Sequence, residues 1–333
     1  MTQELKIAML GARGVGKTSL LTAMYKEFAY TLVKTNLLFK PQIETFSMLN
    51  KRLEELKSLS DDFNALTGIK STDKEYNFVF ELGQKGKKPE FILKFKDYHG
   101  DCLDSNASTK DQEIVANVLS DSHVVLIAID SPALMEQNWK EQKRKGKLSW
   151  HDSQNIPDKI TNLFHNIYTE IKSPKLIIFV PLRCETYLQD KESANNLINN
   201  VKDGYSDLID FFASPALSPW IVSVITPVQT VGNIILKSVK EVNGEPIFKF
   251  CKINYDAEYN PKNAQLPLRC ILRFMLKREI EFRNWNWGLF SPIRSWIGLD
   301  NSLREASIHL NPLNIEDEWA YTALQGEKWL TLD

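Results

Sequence analysis

The stretch that decides the fold is Gly11-Ala12-Arg13-Gly14-Val15-Gly16-Lys17-Thr18. It has the form GxxxxGK[ST], in which glycines let backbone N–H groups turn inward around a phosphate. Residues 5–10 form an apolar run typical of a strand, and residues 19–28 carry apolar side chains at helical spacing. Because the positive end of that helix would point at the same anion, the stretch predicts a phosphate-binding loop. The alternative is a glycine-rich turn that contains a lysine by chance.

Two side chains of this loop have predicted roles. Lys17 would reach the β- and γ-phosphates of a nucleotide, and the Thr18 hydroxyl would ligate Mg²⁺. We expect the phosphate-binding set to comprise Gly11, Ala12, Arg13, Gly14, Val15, Gly16, Lys17, Thr18 and Ser19.

The composition is that of an ordinary globular protein, with 333 residues of which 43% are apolar and 25% charged. The formal net charge of -1 gives no global attraction to nucleic acid or acidic membranes. No apolar run approaches the roughly 18 residues that a membrane span requires, and the first strand begins too early for a signal peptide. None of the four cysteines belongs to a CxxC pair. They are Cys102, Cys184, Cys251 and Cys270. We therefore expect a cytoplasmic protein with reduced cysteines and no zinc site.

Further apolar segments predict an α/β fold. Two alternating strands joined by a Gly- and Lys-rich turn form a predicted hairpin, and three continuous apolar runs are typical of parallel strands covered on both faces. These strands span residues 75–82, 91–96, 124–129, 175–180 and 220–225. Helical spacing predicts helices over residues 158–171 and 193–212. The pattern indicates a three-layer, mostly parallel sheet with one antiparallel strand and a nucleotide at the carboxyl ends of its strands.

Two segments are predicted insertions in this nucleotide domain. Residues 46–66 form a charged amphipathic helix where a compact switch protein would have a short loop. Residues 138–157 are polar and include a basic run at 140–147. That run is interpreted as a solvated surface segment, with a site for a phosphate-rich partner as the alternative.

The second chemical motif, Asp97-Tyr98-His99-Gly100, follows the third predicted strand. An aspartate that ends a strand beside the phosphate-binding loop can hold Mg²⁺ through water, and Gly100 could offer its N–H to the γ-phosphate. Asp130 also ends an apolar strand and is a rival for the metal. We favour Asp97, because no acidic residue or glycine follows Asp130 closely. His99 and His123 are interpreted as packing or surface residues, since no paired histidine or cysteine lies nearby.

With these motifs, residues 5–230 resemble the Ras-like, translation-factor-related (TRAFAC) class of P-loop GTPases. The resemblance implies GTP or GDP with Mg²⁺ as ligands. The base-reading motif of that class corresponds to residues 182–185, so Glu185 would accept hydrogen bonds from guanine and the Arg183 stem would lie across the base. Leu182 stands where the class has an asparagine, and its side chain cannot form a hydrogen bond. The alternative is an ordinary strand followed by a polar loop. A short loop at Thr226 and Pro227 would touch the guanine oxygen through its backbone.

Five segments resemble, more particularly, bacterial GTPases of conflict-system gene clusters, the double-GTPase type. These segments are GARGVGKTSLLTAMY, DYHGD, VPLRCE, TPVQTVG and PLRCILRFML. The resemblance implies a bacterial setting, a role in defence signalling, and a protein effector or partner GTPase.

Two departures from the class and one further position bear on catalysis. Asp101 stands where Ras-like proteins carry the glutamine that orients the attacking water. Arg13 could stabilise transition-state charge, point to solvent, or obstruct an arginine supplied by a partner. The threonine that completes the Mg²⁺ shell is expected at Thr72, with Thr67 and Ser71 as rivals.

The region after residue 232 lies outside the standard nucleotide domain. Asn243-Gly244 predicts a type I′ hairpin between residues 233–240 and 246–253, and residues 266–282 predict a helix. An aromatic-rich tail follows, with Trp285, Trp287, Phe290, Trp296, Trp319 and Trp329. These side chains are interpreted as a cap on the core, with a partner-binding surface as the alternative. We expect a GTPase domain over 1–232 and an extension over 233–333 that packs on it.

These observations predict a Mg²⁺-dependent GTPase switch that binds guanine nucleotide. The net charge of -1 does not favour nucleic acid as a partner. The predicted catalytic residues are Lys17, Arg13, Asp101 and Gly100, and the predicted metal residues are Thr18, Thr72 and Asp97. The alternatives are an ATP-binding P-loop NTPase or nucleotide kinase, a catalytically weak nucleotide-dependent assembly module, and a nucleic-acid or membrane binder acting through the basic run.

Overall fold

A computed structural model of the chain describes residues 2–33, 36–64, 76–97, 109–285 and 318–331. Its dominant feature is an eight-stranded sheet with the strand order β11-β8-β7-β6-β1-β5-β4-β2. The strands of this sheet are β1 (Gln3–Leu10), β2 (Leu37–Pro41), β4 (Tyr76–Gln84), β5 (Phe91–Asp97), β6 (Val124–Asp130), β7 (Lys175–Leu182), β8 (Ile221–Ile225) and β11 (Thr322–Gln325).

The predicted fold class is confirmed. Strands β5, β1, β6, β7 and β8 are parallel neighbours in that order. The predicted hairpin of β4 and β5 is present, so that β4 runs against the others. The structure adds two edge strands that the sequence pattern missed. β2 pairs antiparallel with β4, and β11 pairs antiparallel with β8. Both are short, at 5 and 4 residues, and leave too few residues for a periodic signal.

The central strands are apolar throughout because helices cover both faces of the sheet. All seven residues of β6 are buried. Its residues at 124, 126 and 128 join one apolar cluster, and those at 125, 127 and 129 join the cluster on the opposite face. This alternation produces the three-layer architecture.

The helices are α1 (Lys17–Leu32), α2 (Ile43–Lys57), α3 (Thr109–Asp121), α4 (Ser131–Met135), α5 (Trp139–Arg144), α6 (Trp150–Asn155), α7 (Pro157–Ile167), α8 (Lys191–Gly204), α9 (Ser206–Ala213) and α10 (Gln265–Trp285). One face of the sheet is covered by apolar side chains of α1, α2 and α10. The other face is covered by helices that include α3, α7, α8 and α9.

The structure has two helices where the sequence predicts one over 193–212, because the helix is interrupted at Tyr205. His151 of α6 lies against Gly204, where a Cβ atom would be 2.7 Å from its Nε2 atom. That same Nε2 atom is 3.2 Å from the Gly204 carbonyl oxygen. The first of the two helices thus ends at a glycine that packs against a residue more than fifty positions away, a contact that helical spacing cannot reveal.

A second sheet has three strands in the order β3-β10-β9, with β3 (Asp62–Asn64), β9 (Ile234–Val242) and β10 (Glu245–Lys252). The predicted hairpin turn is present, with φ of 54° at Asn243 and 84° at Gly244. β3 comes from the first inserted segment, so that segment joins the C-terminal hairpin in one sheet. A separate apolar cluster, to which Leu56, Phe63 and Phe250 belong, packs beneath it.

Part of the predicted tail is described. Trp319 and Trp329 are partly buried against the two main apolar clusters. The predictions for Trp287, Phe290 and Trp296 lie outside the described residues. None of the helices in the described ranges combines the length and apolar character that crossing a bilayer would demand.

Candidate functional site

The loop between β1 and α1 has a backbone that requires glycine. Gly11 and Gly16 have φ of 141° and 112°, which a residue with a Cβ atom adopts only with strain. A Cβ atom on Gly11 would also lie 2.8 Å from the Ala128 carbonyl oxygen of β6. The first glycine therefore lets the loop pack directly against the neighbouring strand.

The loop delivers the chain into α1 with an open helix N-terminus. Gly16 is the N-cap, no side chain caps the helix, and the first turn contains no acidic residue. The first N–H groups of a helix have no acceptor within the helix, and they carry the positive end of its dipole. Lys17 adds a full positive charge in the same turn. This end of α1 can therefore bind an anion such as a phosphate.

Lys17, Thr18 and Asp97 meet at the carboxyl ends of β1 and β5. The two strands are paired in parallel with Met9 opposite Asp97, which brings the end of β5 beside the loop. The Thr18 hydroxyl donates a hydrogen bond of 2.8 Å to Oδ2 of Asp97. The Lys17 ammonium donates to the carbonyl of Gly11 at 2.9 Å and lies 3.9 Å from Oδ1 of Asp97. All three side chains are buried.

The hydroxyl and carboxylate suit Mg²⁺, which prefers hard oxygen ligands and usually takes one or two of them from the protein. Thr18 would bind the ion directly, and Asp97 would hold it through water. Within the described ranges no three His, Cys, Asp or Glu side chains cluster as a metal cage. An ion here would therefore need phosphate oxygens and water to complete its shell.

Arg183 joins the phosphate-binding loop to the end of β6. Its guanidinium forms a 2.6 Å ion pair with Oδ2 of Asp130 and donates a second hydrogen bond to the Gly14 carbonyl. Burial raises the pKa of Asp130, and the charge of Arg183 opposes that shift. The parallel register of β6 and β7 explains the contact, because it places Asp130 opposite Leu182. Arg183 also has a left-handed backbone with φ of 55°, a strained conformation for a residue other than glycine.

Glu185 is buried and holds the loop that leads to β9. Its Oε1 atom accepts hydrogen bonds from the N–H groups of Val231 and Gly232 at 3.2 and 3.3 Å. Its other oxygen, Oε2, makes no hydrogen bond to another described residue. Burial raises the pKa of Glu185, while the two N–H groups and Arg183 oppose the shift. One carboxylate oxygen therefore anchors a loop, and the other is buried without a hydrogen bond to a described residue.

Thr226 and Pro227 follow β8 directly and are buried. The Thr226 N–H donates to the carbonyl of Phe179, which fixes the loop beside the end of β7. The Thr226 hydroxyl oxygen makes no hydrogen bond to another described residue. Both residues lie at the same edge of the sheet as Glu185, as the sequence order of an α/β sheet requires.

The structure brings some predicted site residues together and leaves others apart. Residues 11–19 and Asp97 form one cluster at the start of α1, and Arg183 contacts that cluster through Gly14. Arg13 is exposed at the loop surface. The predictions for Gly100, Asp101, Thr72, Thr67 and Ser71 lie outside the described residues.

Two contacts of the site escaped sequence reasoning. Asp130, the rival candidate for the metal, forms an ion pair with Arg183 in the structure. The sequence carries a signal for this ion pair, because an acidic residue ends β6 and a basic residue directly follows β7. Glu185 is engaged by Val231 and Gly232, a contact that depends on how the β8–β9 loop folds back and that has no signature in the sequence.

The basic run lies on the surface, partly in α5. Lys140 pairs with Asp203, and Lys145 pairs with Glu141 one turn earlier. His123 accepts a hydrogen bond from the N–H of Lys6 through Nδ1, and burial lowers its pKa to about 4. The basic run therefore forms surface ion pairs, and His123 packs beside β1. Neither is part of the cluster around Asp97.

Comparisons with known proteins give only distant likeness. No family model and no curated protein matches the chain. The solved Ski7 GTPase-like domain of S. cerevisiae, bound to GTP, is 15% identical, with 69% of this chain and 43% of that chain covered and a TM-score of 0.38. The same domain bound to GDP and inorganic phosphate gives 17% identity and a TM-score of 0.39.

A structure of sup35 complexed with GDP is 7% identical, covers 69% of this chain and 38% of that one, and has a TM-score of 0.32. The match thus spans well under half the length of each of these structures. Likeness at this level does not indicate what a protein binds, so the functional conclusion depends on the site itself.

Proposed function

We propose that this chain is a GTP-binding switch protein that hydrolyses GTP to GDP and phosphate with Mg²⁺. The observation that carries the proposal is the buried contact between Thr18 and Asp97 beside Lys17, at the uncapped start of α1. These groups are the ones that hold a nucleoside triphosphate and its metal in P-loop proteins.

In the proposed reaction, water attacks the γ-phosphorus, the bond to the bridging oxygen breaks, and its electron pair leaves with GDP. Lys17 and the N–H groups of the loop would bind the β- and γ-phosphates and offset the charge that develops there. Bound Mg²⁺ would neutralise charge on the same oxygens. Asp101 would orient the water, Gly100 would sense the γ-phosphate, and Thr72 would complete the metal shell. Arg13 stays a candidate for charge stabilisation.

The guanine preference is proposed from Glu185 and Arg183. The Oε2 atom of Glu185 is buried and bonds to no other described residue, so it is an unsatisfied acceptor that a base N–H reaching this loop would satisfy. Arg183 supports the same proposal because it contacts both the Gly14 carbonyl of the phosphate-binding loop and Asp130, and so lies beside the predicted nucleotide site. The Thr226–Pro227 loop would contribute backbone contacts to the base.

A second candidate is an ATP-binding P-loop NTPase or a nucleotide-dependent assembly module. The engagement of Glu185 Oε1 by Val231 and Gly232 favours it, because a carboxylate that anchors a loop has less capacity to read a base. We further propose the division into a nucleotide domain over 1–232 and an extension over 233–333. The three-stranded sheet that contains β9 and β10 supports this division, and two strands link the units, since β3 joins that sheet and β11 joins the main one. The bacterial defence role, the cytoplasmic location and the protein effector or partner GTPase are proposed from sequence resemblance.

The test is equilibrium binding of fluorescent GTP and ATP analogues with Mg²⁺, competed by unlabelled nucleotides. Lys17→Ala should abolish binding of both. Glu185→Gln keeps the shape of the side chain and an oxygen for the loop amides, and should selectively reduce GTP binding. Glu192→Gln, on the exposed first turn of α8, is the matched control. ATP binding as tight as GTP binding would overturn the guanine assignment, and no binding of either nucleotide would overturn the proposed function.

A further inference from the structure

Arg52 is a charged residue at a core position of the inserted helix α2. The buried residues of this helix are Thr45, Leu49, Arg52 and Leu56, which lie on one face at spacings of four, three and four. The two leucines belong to apolar clusters, as expected for that face. An arginine in such a stripe is costly to bury and needs anionic partners.

The start of α2 is fixed on β4, and β4 is paired with the strand that ends in Asp97. The Thr45 hydroxyl oxygen accepts a 2.8 Å hydrogen bond from the N–H of Val79, which fixes the start of α2 against the middle of β4. Arg52 is two helical turns further on, a rise of about 10 Å. Along β4, the three residues from Val79 to Tyr76 cover about the same distance. Tyr76 is paired directly with Asp97.

The charges that act on Arg52 indicate that α2 runs along β4 toward Tyr76. Burial lowers the pKa of Arg52, and the charges of Glu55 and Asp97 oppose that shift, with a smaller contribution from Tyr76. Its Nη1 atom lies 2.9 Å from Oε2 of Glu55, one turn later on α2. The guanidinium is thus buried in the electrostatic field of the aspartate that binds Thr18.

We propose that Arg52 recognises the terminal phosphate of a bound nucleoside triphosphate, and so lets the inserted helix distinguish the triphosphate from the diphosphate state. This inference rests on the proposed nucleotide-binding function. An ion bound between Thr18 and Asp97 would engage the carboxylate whose charge now acts on Arg52. The guanidinium would keep Glu55, and the phosphate at the end of the nucleotide would offer it a second anion with matching geometry in place of Asp97. Arg13, the arginine predicted for such a role, is exposed at the surface of the loop.

Helix α2 could transmit the presence of the terminal phosphate to the second sheet. The helix ends near β3, which pairs with β10 of the second sheet, and Leu56 packs in the cluster beneath that sheet. A phosphate that attracts Arg52 would therefore bias the position of a helix that contacts both sheets. This arrangement would give a switch protein a route from its phosphate site to the C-terminal hairpin.

The experiment compares equilibrium affinities for GDP and for a non-hydrolysable GTP analogue, both with Mg²⁺, in the full chain. Arg52→Met keeps the volume of the stem in the core and removes the charge, and Arg52→Lys keeps the charge. Lys51→Ala, at the exposed neighbouring position, is the control. We expect Arg52→Met to weaken the triphosphate analogue by about tenfold or more and GDP by less than about twofold, as for loss of one charge-assisted hydrogen bond. Arg52→Lys should lie between, and Lys51→Ala should match the native chain.

An unchanged ratio of the two affinities in Arg52→Met would show that Arg52 does not contact the phosphate. A parallel loss of both affinities with a lower melting temperature would assign it a structural role only. Arg52→Met also leaves the Glu55 carboxylate without its ion-pair partner, which could lower stability by itself. The double variant Arg52→Met/Glu55→Gln removes both charges and is measured as the control for that effect. If the native chain binds GDP and the analogue, the proposed function stands whatever Arg52 does; if it binds neither, both proposals fall.

Discussion

The hydroxyl of Thr18 and the carboxylate of Asp97, 79 positions apart in the chain, are joined by a 2.8 Å hydrogen bond in a buried site. One residue is in the first turn of α1 and the other ends β5. The contact exists because β1 and β5 are parallel neighbours, so that their carboxyl ends open on the same edge of the sheet.

If this pair holds Mg²⁺, Asp97→Asn should reduce nucleotide affinity in Mg²⁺ by about 10- to 100-fold, the effect of losing a charged partner in a buried site. In EDTA the variant and the native chain should differ little. Titration with a fluorescent nucleotide under both conditions measures the effect. Asp121→Asn, at the exposed end of α3, is the control. Equal losses with and without Mg²⁺ would argue against a metal role.

Removal of Arg183 should destabilise the fold as well as the site. Arg183→Ala leaves the Asp130 carboxylate buried without its ion-pair partner, and such a change typically costs about 3–5 kcal/mol. The double variant Arg183→Met/Asp130→Leu removes both charges and should recover part of that loss. Urea unfolding of the single and double variants gives the comparison. A double variant no more stable than Arg183→Ala would mean that the bond to the Gly14 carbonyl matters more than the charge of Asp130.

Gly232 offers a test of the junction before β9. A Cβ atom there would lie 1.7 Å from the Asn260 carbonyl oxygen, and the residue has φ of 67°. Gly244 in the β9–β10 turn has φ of 84° but no heavy atom within 4 Å of a Cβ position. Both Gly→Ala changes impose backbone strain of about 1 kcal/mol, and only Gly232→Ala adds an overpacking cost of about 1–3 kcal/mol. Thermal unfolding should rank Gly232→Ala below Gly244→Ala, and equal melting temperatures would contradict the close approach.

Glu27 should make stability depend on pH. It accepts a 2.8 Å hydrogen bond from the N–H of Gln265 at the start of α10, and burial raises its pKa from 4.5 to about 7. Between these values the folded state binds more protons than the unfolded state, so the free energy of unfolding falls as pH rises. The contribution is full below pH 4.5 and is lost by about pH 7, with an upper limit of about 3 kcal/mol.

Glu27→Gln keeps an oxygen acceptor for Gln265 and removes the titration. Urea unfolding at pH 5, 6, 7 and 8 should therefore give a shallower decline in this variant, by up to one proton's worth of slope. Glu54→Gln, on the exposed face of α2, should follow the native curve. The same slope in Glu27→Gln and in the native chain would exclude Glu27 as its source.

Several features were predictable from local sequence because they depend on local physics. The continuous apolar runs of β6, β7 and β8 reflect burial on both faces of a sheet, and the GxxxxGK[ST] loop needs glycine at Gly11 and Gly16 for its backbone. Asn243-Gly244 likewise specifies its turn through the positive φ of both residues. Each of these signals is contained within about ten consecutive residues, the range over which periodicity and turn chemistry act.

Only the tertiary structure decided the contacts between distant segments. The sequence alone predicted the GxxxxGK[ST] loop, the α/β class and the candidate role of Asp97. It could not bury Arg52 within reach of the charge of Asp97, pair Arg183 with Asp130, or engage Glu185 with Val231 and Gly232. Those contacts arise from strand order and loop path, which bring together residues with no common period. Burial then sets their energetics, because a charge removed from water must find its partner wherever the fold has placed one.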